Sequence, residues 1–187
     1  MLHHQRSRAF SLIETAIVLG VVGVVIGGIW AGANAVAISN QKADVLKTTL
    51  SIVQGVRNLY VGQTVASNTN ITSNMVQAGL VPAGWINGSG TVSSLWNQDV
   101  TIYATSNGVH IRLDGMPKAL CADLVFRMPS LVTRTEELTT DVGCTANIAS
   151  PISRSAATTY CSSTTNIVRW NFSLRGGAPS ASSDICS

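Results

Sequence analysis

Glu14 is the residue best placed to do chemistry, because it stands where an ionised carboxylate is costly. Just beyond it lie the eighteen residues from Ala16 to Ala33 (AIVLGVVGVVIGGIWAGA), without one polar side chain, and no charge recurs until Lys42. A run of this length and composition is enough to cross the hydrocarbon core of a bilayer as a helix. An acid buried deep in lipid costs on the order of a few kcal/mol, so Glu14 calls for a positive partner. Its chemistry is therefore charge pairing. Cleavage between Ala9 and Phe10 would create such a partner, the α-amine of Phe10, four residues upstream.

Other reactive side chains carry less. His3 and His4 are adjacent in the basic N-terminal tail, and His110 falls inside a predicted strand with no acidic or nucleophilic neighbour in sequence. Glu136 and Glu137 stand side by side in a Thr- and Ser-rich loop, where an extended backbone points them apart. The four cysteines, Cys121, Cys144, Cys161 and Cys186, all lie in the C-terminal third and include no C-x-x-C pair, which excludes a zinc site. Their even number reads as two disulfides in an exported domain, with three possible connectivities. Closing loops of roughly twenty residues is worth about 3 kcal/mol each in the chain-entropy model. No Ser/His/Asp set, metal cluster or phosphate loop is visible, so the expectation is a protein that is not an enzyme and holds no cofactor or metal.

The elements that position Glu14 follow from the pattern around it. Arg6 and Arg8 precede the apolar run and hold that end in the cytoplasm. Removing these two arginines from the formal net charge of +3 leaves +1, no footprint for nucleic acid. Gly23 with Gly27, and Gly28 with Gly32, are spaced at i, i+4 and let helix backbones approach closely. Helical periodicity continues past the membrane segment. Val45, Ile52 and Leu59 repeat at seven, as do Leu46, Val53 and Tyr60, with Thr49 and Val56 between them. Gly62 is a natural stop, and a helix from 10 to 61 would be roughly 78 Å long.

Beyond it, residues 63–90 are polar, with a short helix predicted at 73–78. Val100–Thr105 and Val109–Leu113 flank Asn107-Gly108 and predict a hairpin with a type I′ turn. Gly115-Met-Pro117 opens a second helix bearing Cys121, with Leu120, Leu124 and Val125 as its buried face. Residues 166–174 alternate like a late, central strand. Trp85 and Trp96 are read as core or interface residues. The predicted class is α+β, a long N-terminal helix packed on a head with an antiparallel sheet and a disulfide-stapled C-terminal region. The predicted segments are a leader (1–9), the long helix (10–62, hydrophobic over 15–39) and the globular head (63–187).

Three fates compete for the apolar segment: a cleaved secretory signal peptide with small-residue sites at 31–33 and 35–37, an ordinary anchor, or a helix retained after cleavage before it. Only the last needs Glu14. The stretch Ala9-Phe-Ser-Leu-Ile-Glu14 resembles the class III signal of type IV pilins, with Ala9 where the family usually has glycine. The strand, Gly-x-Pro turn and cysteine-bearing helix resemble the head of type IVb pilins, those of toxin-coregulated, bundle-forming and thin conjugative pili; the ending Asn58-Leu-Tyr-x-Gly-Gln63 is similar too.

The resemblance implies a subunit cut by a prepilin peptidase between Ala9 and Phe10, N-methylated, and polymerised with other pilin copies by pilus assembly machinery. It would sit in the inner membrane as prepilin and afterwards in an extracellular fibre serving adhesion, aggregation or conjugation. Glu14 would neutralise the Phe10 amine of a neighbouring subunit. The segment 121–186 would be the family's disulfide-bounded region, with Cys121 paired to Cys186 and Cys144 to Cys161. A minor pilin or secretion-system pseudopilin shares the same signal, and an exported binding domain with an ordinary signal peptide is the alternative from another class.

Overall fold

One helix, α1 (Leu12–Tyr60), runs through 49 residues without a proline. The structure is a computed structural model that describes residues 12–60, 63, 68–105, 107–132, 138–143, 145–148 and 151–174. It divides into two compact units, Met1–Asn40 and Gln41–Ser187. In the first unit every described residue is exposed, the aliphatic ones included. In the second, α1 turns amphipathic: Val45, Thr48, Thr49, Ile52, Val53, Gly55 and Val56 are buried. Leu59, expected on this stripe, is 44% exposed. A straight helix drifts about 20° per heptad from a strict seven-residue repeat, and by the third repeat the position has rotated off the core.

The remaining elements are β1 (Thr69–Asn70), α2 (Thr72–Gln77), a 3-10 turn (Ala83–Trp85), β2 (Val100–Ala104), β3 (Gly108–Pro117), α3 (Lys118–Leu131), β4 (Leu138–Val142), β5 (Thr145–Ile148), α4 (Arg154–Tyr160) and β6 (Thr165–Ser173). The six strands form one sheet in the order β1-β2-β3-β6-β4-β5, antiparallel throughout. The last strand in sequence is thus an inner one, paired with β3 on one side and β4 on the other. Strand alternation gives the sheet two faces. Ile102, Ile111 and Trp170 are register partners on one face, as are Val100, Leu113, Val168 and Val142. With Val45, Ile52 and Val56 of α1 they form one core.

Two glycines shape the strands for different reasons. The hairpin expected at Asn107-Gly108 is wider than a two-residue turn, because Ala104 pairs with Val109 and leaves four residues between. Gly108 lacks the left-handed backbone that a type I′ turn requires; it lies within β3, where a Cβ would sit 2.5 Å from the carbonyl oxygen of Phe172. Its missing side chain admits the neighbouring strand. Gly115 does adopt a left-handed conformation (φ +61°), at the irregularity between Leu113 and Met116 in β3. The predicted helix start at Gly115-Met-Pro117 is therefore the end of a strand. α3 begins at Lys118, with Pro117 just outside it.

The cysteine pairing differs from expectation. Cys121 of α3 bonds to Cys161, the residue after α4, with their Cα atoms 5.8 Å apart. α3 and α4 pack together, and both cysteines are buried at the join. That proximity brings Cys161 within the short reach of a disulfide, so the pairings Cys121–Cys186 and Cys144–Cys161 are corrected to Cys121–Cys161. Cys144 and Cys186 lie outside the described residues. Across a sequence separation of 40, the bond is worth about 4 kcal/mol in the chain-entropy model.

Gly108→Ala is expected to destabilise the head by about 1–3 kcal/mol, the usual cost of overpacking. Thermal unfolding followed by circular dichroism measures it. An unchanged midpoint would show that the β3–β6 spacing yields without cost.

Candidate functional site

Glu14 occupies the first described turn of α1, where a carboxylate also complements the partial positive charge of a helix N-terminus. Ala9 and Phe10 lie outside the described residues. From Leu12 to Ile38 the helix presents bare aliphatic surface: Ile17, Leu19, Val24 and Ile29 are more than 60% exposed, and Trp30 is 67% exposed. A Cβ added at Gly20, Gly23, Gly27, Gly28 or Gly32 would meet nothing within 4 Å. By length and composition α1 is apolar enough to cross a membrane.

The head places its charges differently, and nearly every described carboxylate is engaged. The Trp85 indole donates to Asp44 Oδ2 at 3.1 Å, tying the 3-10 turn to α1. Trp96 donates to the Asp114 carbonyl at 2.7 Å, and Arg112 Nε lies 2.8 Å from Asp114 Oδ1. As expected of core residues, Trp85 is buried and Trp96 packs against the core.

The polar face of the sheet is partly buried, with His110, Asp141, Arg169 and Asn171 buried at its centre. Tyr103, His110, Asn171 and Thr139 are aligned across four strands, beside a second row of Thr101, Arg112, Arg169 and Asp141. Arg169 Nε and Asn171 Nδ2 both donate to Asp141 Oδ2, at 2.9 and 2.8 Å. His110 is buried, and its Nε2 finds no hydrogen-bond partner among the described residues. Burial, and secondly the charge of Arg169, push its pKa down to about 4 against a smaller pull from Asp141. At neutral pH this imidazole is uncharged.

A second cluster joins three helices. Asp123 of α3 lies 3.3 Å from Lys42 Nζ, 3.0 Å from Arg127 Nε and 3.7 Å from Arg154 Nη1. Burial alone would raise its pKa, but Lys42 and Arg127 outweigh that and hold the carboxyl below its ordinary value. Arg154 also stacks on Phe126, 4.9 Å from the ring centre. No group of three or more His, Cys, Asp or Glu side chains able to hold a metal occurs among the described residues.

An apolar helix continuous with the core of a disulfide-linked α+β head is the architecture against which known proteins were compared. The model for the PilS family, described as PilS N terminal, matches residues 31–173. The chain belongs to the PilS family. Among solved structures it is similar to the type IVb pilin of Salmonella typhi, with a TM-score of 0.57 and 16% identity over 70% of this chain and 97% of that one. A type IV pilin of Vibrio cholerae El Tor biotype, TcpA, aligns with a TM-score of 0.42 and 13% identity over 73% of this chain and 97% of its own. No curated protein sequence matches. The Salmonella likeness shows the fold: this PilS-family chain is built like a type IVb pilin.

Of the residues singled out in sequence, Glu14 and the glycines lie on the exposed part of α1, and Cys121 and Cys161 are joined in the head. The Asp123 cluster of this PilS-family head was not anticipated. Its one local signal is the i, i+4 spacing of Asp123 and Arg127; Lys42 and Arg154 reach it only through the tertiary fold.

The lowered pKa of His110 has a definite sign. The folded state holds this imidazole neutral, whereas an unfolded chain protonates it near 6.5, so the unfolded state binds more protons between about pH 4 and 6.5. Stability is expected to fall as pH drops through that window, by at most about 3 kcal/mol. Chemical denaturation at several pH values measures the slope, and His110→Gln should flatten it.

Proposed function

We propose that this pilin is the building block of a type IVb pilus, cut between Ala9 and Phe10, N-methylated and polymerised through α1. The observation that carries the reading is the exposed carboxylate of Glu14 at the head of an apolar helix with no buried residue before Val45. The prepilin inserts with Arg6 and Arg8 on the cytoplasmic side, and its head folds across the membrane, where the Cys121–Cys161 bond can form.

Extraction from lipid into a filament moves aliphatic surface from one apolar environment to another. The hydrophobic effect therefore contributes little to the transfer itself. Charge supplies the register. In a filament core an unpaired Glu14 is costly, whereas one facing the new Phe10 amine of a neighbouring copy is satisfied. The pairs Gly23/Gly27 and Gly28/Gly32 allow backbones of adjacent helices to approach. The partners are thus other copies of the chain, the prepilin peptidase and the assembly machinery, with the inner membrane as the site before assembly and an extracellular fibre after it. Adhesion, aggregation or conjugation would then be performed by the fibre surface.

Intact-mass and N-terminal peptide analysis of protein from its native host's envelope is expected to find a chain starting at N-methylated Phe10. A start between Ala33 and Ile38 would overturn the proposal. Glu14→Val is expected to abolish fibres in electron micrographs while the head stays folded by circular dichroism; normal fibres would remove the role given to Glu14.

A further inference from the structure

We infer that the head carries a docking patch for anionic phospholipid headgroups, formed by Lys42, Phe126, Arg127 and Arg154 around the buried Asp123. It rests on the reading above that the apolar run is membrane-inserted before assembly.

The charge count comes first. Three cations lie within 4 Å of one carboxylate, which leaves an excess of two positive charges there among the described residues. The cationic side chains are also accessible. Those of Arg127 and Arg154 are 56% and 65% exposed, whereas Asp123 is only 9% exposed. The acid lies beneath and holds the cations in place, and the guanidinium groups retain donors for a second anion. Planar guanidinium groups suit the paired oxygens of a phosphodiester.

A second observation is independent of charge. Phe126 stands between Asp123 and Arg127 on α3, is 36% exposed, and carries the Arg154 guanidinium over its ring. An exposed aromatic among basic side chains is the composition of surfaces that lie in a membrane interface.

Depth is fixed by the sequence. Lys42 follows Ile38, the last aliphatic residue of the apolar segment, by four positions on one continuous helix, which is about 6 Å of rise. That places its ammonium at headgroup level when the preceding residues fill the hydrocarbon core. Arg127 and Arg154 share the carboxylate that Lys42 holds, so the three cations form one cluster. The ligand is a lipid with net negative charge, of the phosphatidylglycerol type, which would orient the head on the outer face of the inner membrane before extraction.

The test uses the full chain in phosphatidylcholine vesicles containing trace spin-labelled phosphatidylglycerol or spin-labelled phosphatidylcholine. Electron paramagnetic resonance reads the fraction of label immobilised by protein. The anionic label is expected to be preferred about fivefold, the effect of one basic side chain near an anionic surface. The preference should vanish in about 1 M salt, where screening acts within about 3 Å. It should fall about fivefold in the Arg127→Gln/Arg154→Gln variant with its Cys121–Cys161 bond intact, to the level left by Arg6 and Arg8. Equal immobilisation of the two labels by the unmodified chain, or a preference unmoved by salt, would overturn the patch while leaving the membrane reading intact. An undiminished preference in the folded double variant would assign it to other basic side chains such as Arg6 and Arg8 and overturn the patch equally. Failure of the chain to insert into either vesicle would remove both readings together.

Discussion

The structure depends on the change of face that α1 makes near Gln41. Before it, the helix offers aliphatic side chains on all sides and none is buried; after it, Val45, Ile52 and Val56 enter the core shared with Ile102, Ile111 and Trp170. Each aliphatic side chain so buried contributes about 1.5–3 kcal/mol relative to exposure. The second part of the helix is held by the head, whereas the first part needs lipid or other helices. One unbroken backbone serves both, so the head is fastened to the apolar segment without a linker.

Charge is used sparingly, at 11% of residues, and much of it within the head is directed inward. Asp44, Asp123 and Asp141 each join different elements, through Trp85, the three-cation cluster and Arg169 respectively, while Asp114 accepts from Arg112 within β3. A carboxylate at a junction is worth most when several donors share it, because the low local dielectric strengthens each contact. Outward, many Ser, Thr and Asn side chains stand among a few exposed charges, among them Lys47, Asp99, Lys118, Arg127 and Arg154.

Much of the fold was legible because it rests on local periodicity. The apolar run, the stripe Val45–Ile52–Val56, the buried face Leu120–Leu124–Val125 and the alternation of residues 166–174 are patterns within one element. What escaped notice depends on contacts between elements. Asn107-Gly108 has the composition of a tight turn, yet the approach of Phe172 from β6 claims Gly108 for the strand. The join of α3 to α4 determines the partner of Cys121, and spacing along the chain does not encode it. Alternation in β6 likewise identified its apolar face but not the burial of His110, Arg169 and Asn171 on the other. At the candidate site, Glu14 was visible because a charge in an apolar run is conspicuous, whereas Asp123 looks like any surface acid of a helix.

The place of β6 has a consequence for how the subunit comes into being. It is the last of the described strands in sequence, yet β3 and β4 each pair with it and not with one another. Until β6 is in place, the sheet is two unconnected halves and Trp170 and Phe172 are missing from the core. Such pairing over long sequence separations makes closure late and slow. A chain interrupted upstream of β6 therefore lacks the strand that joins its halves, and the core of the head closes only when that strand arrives.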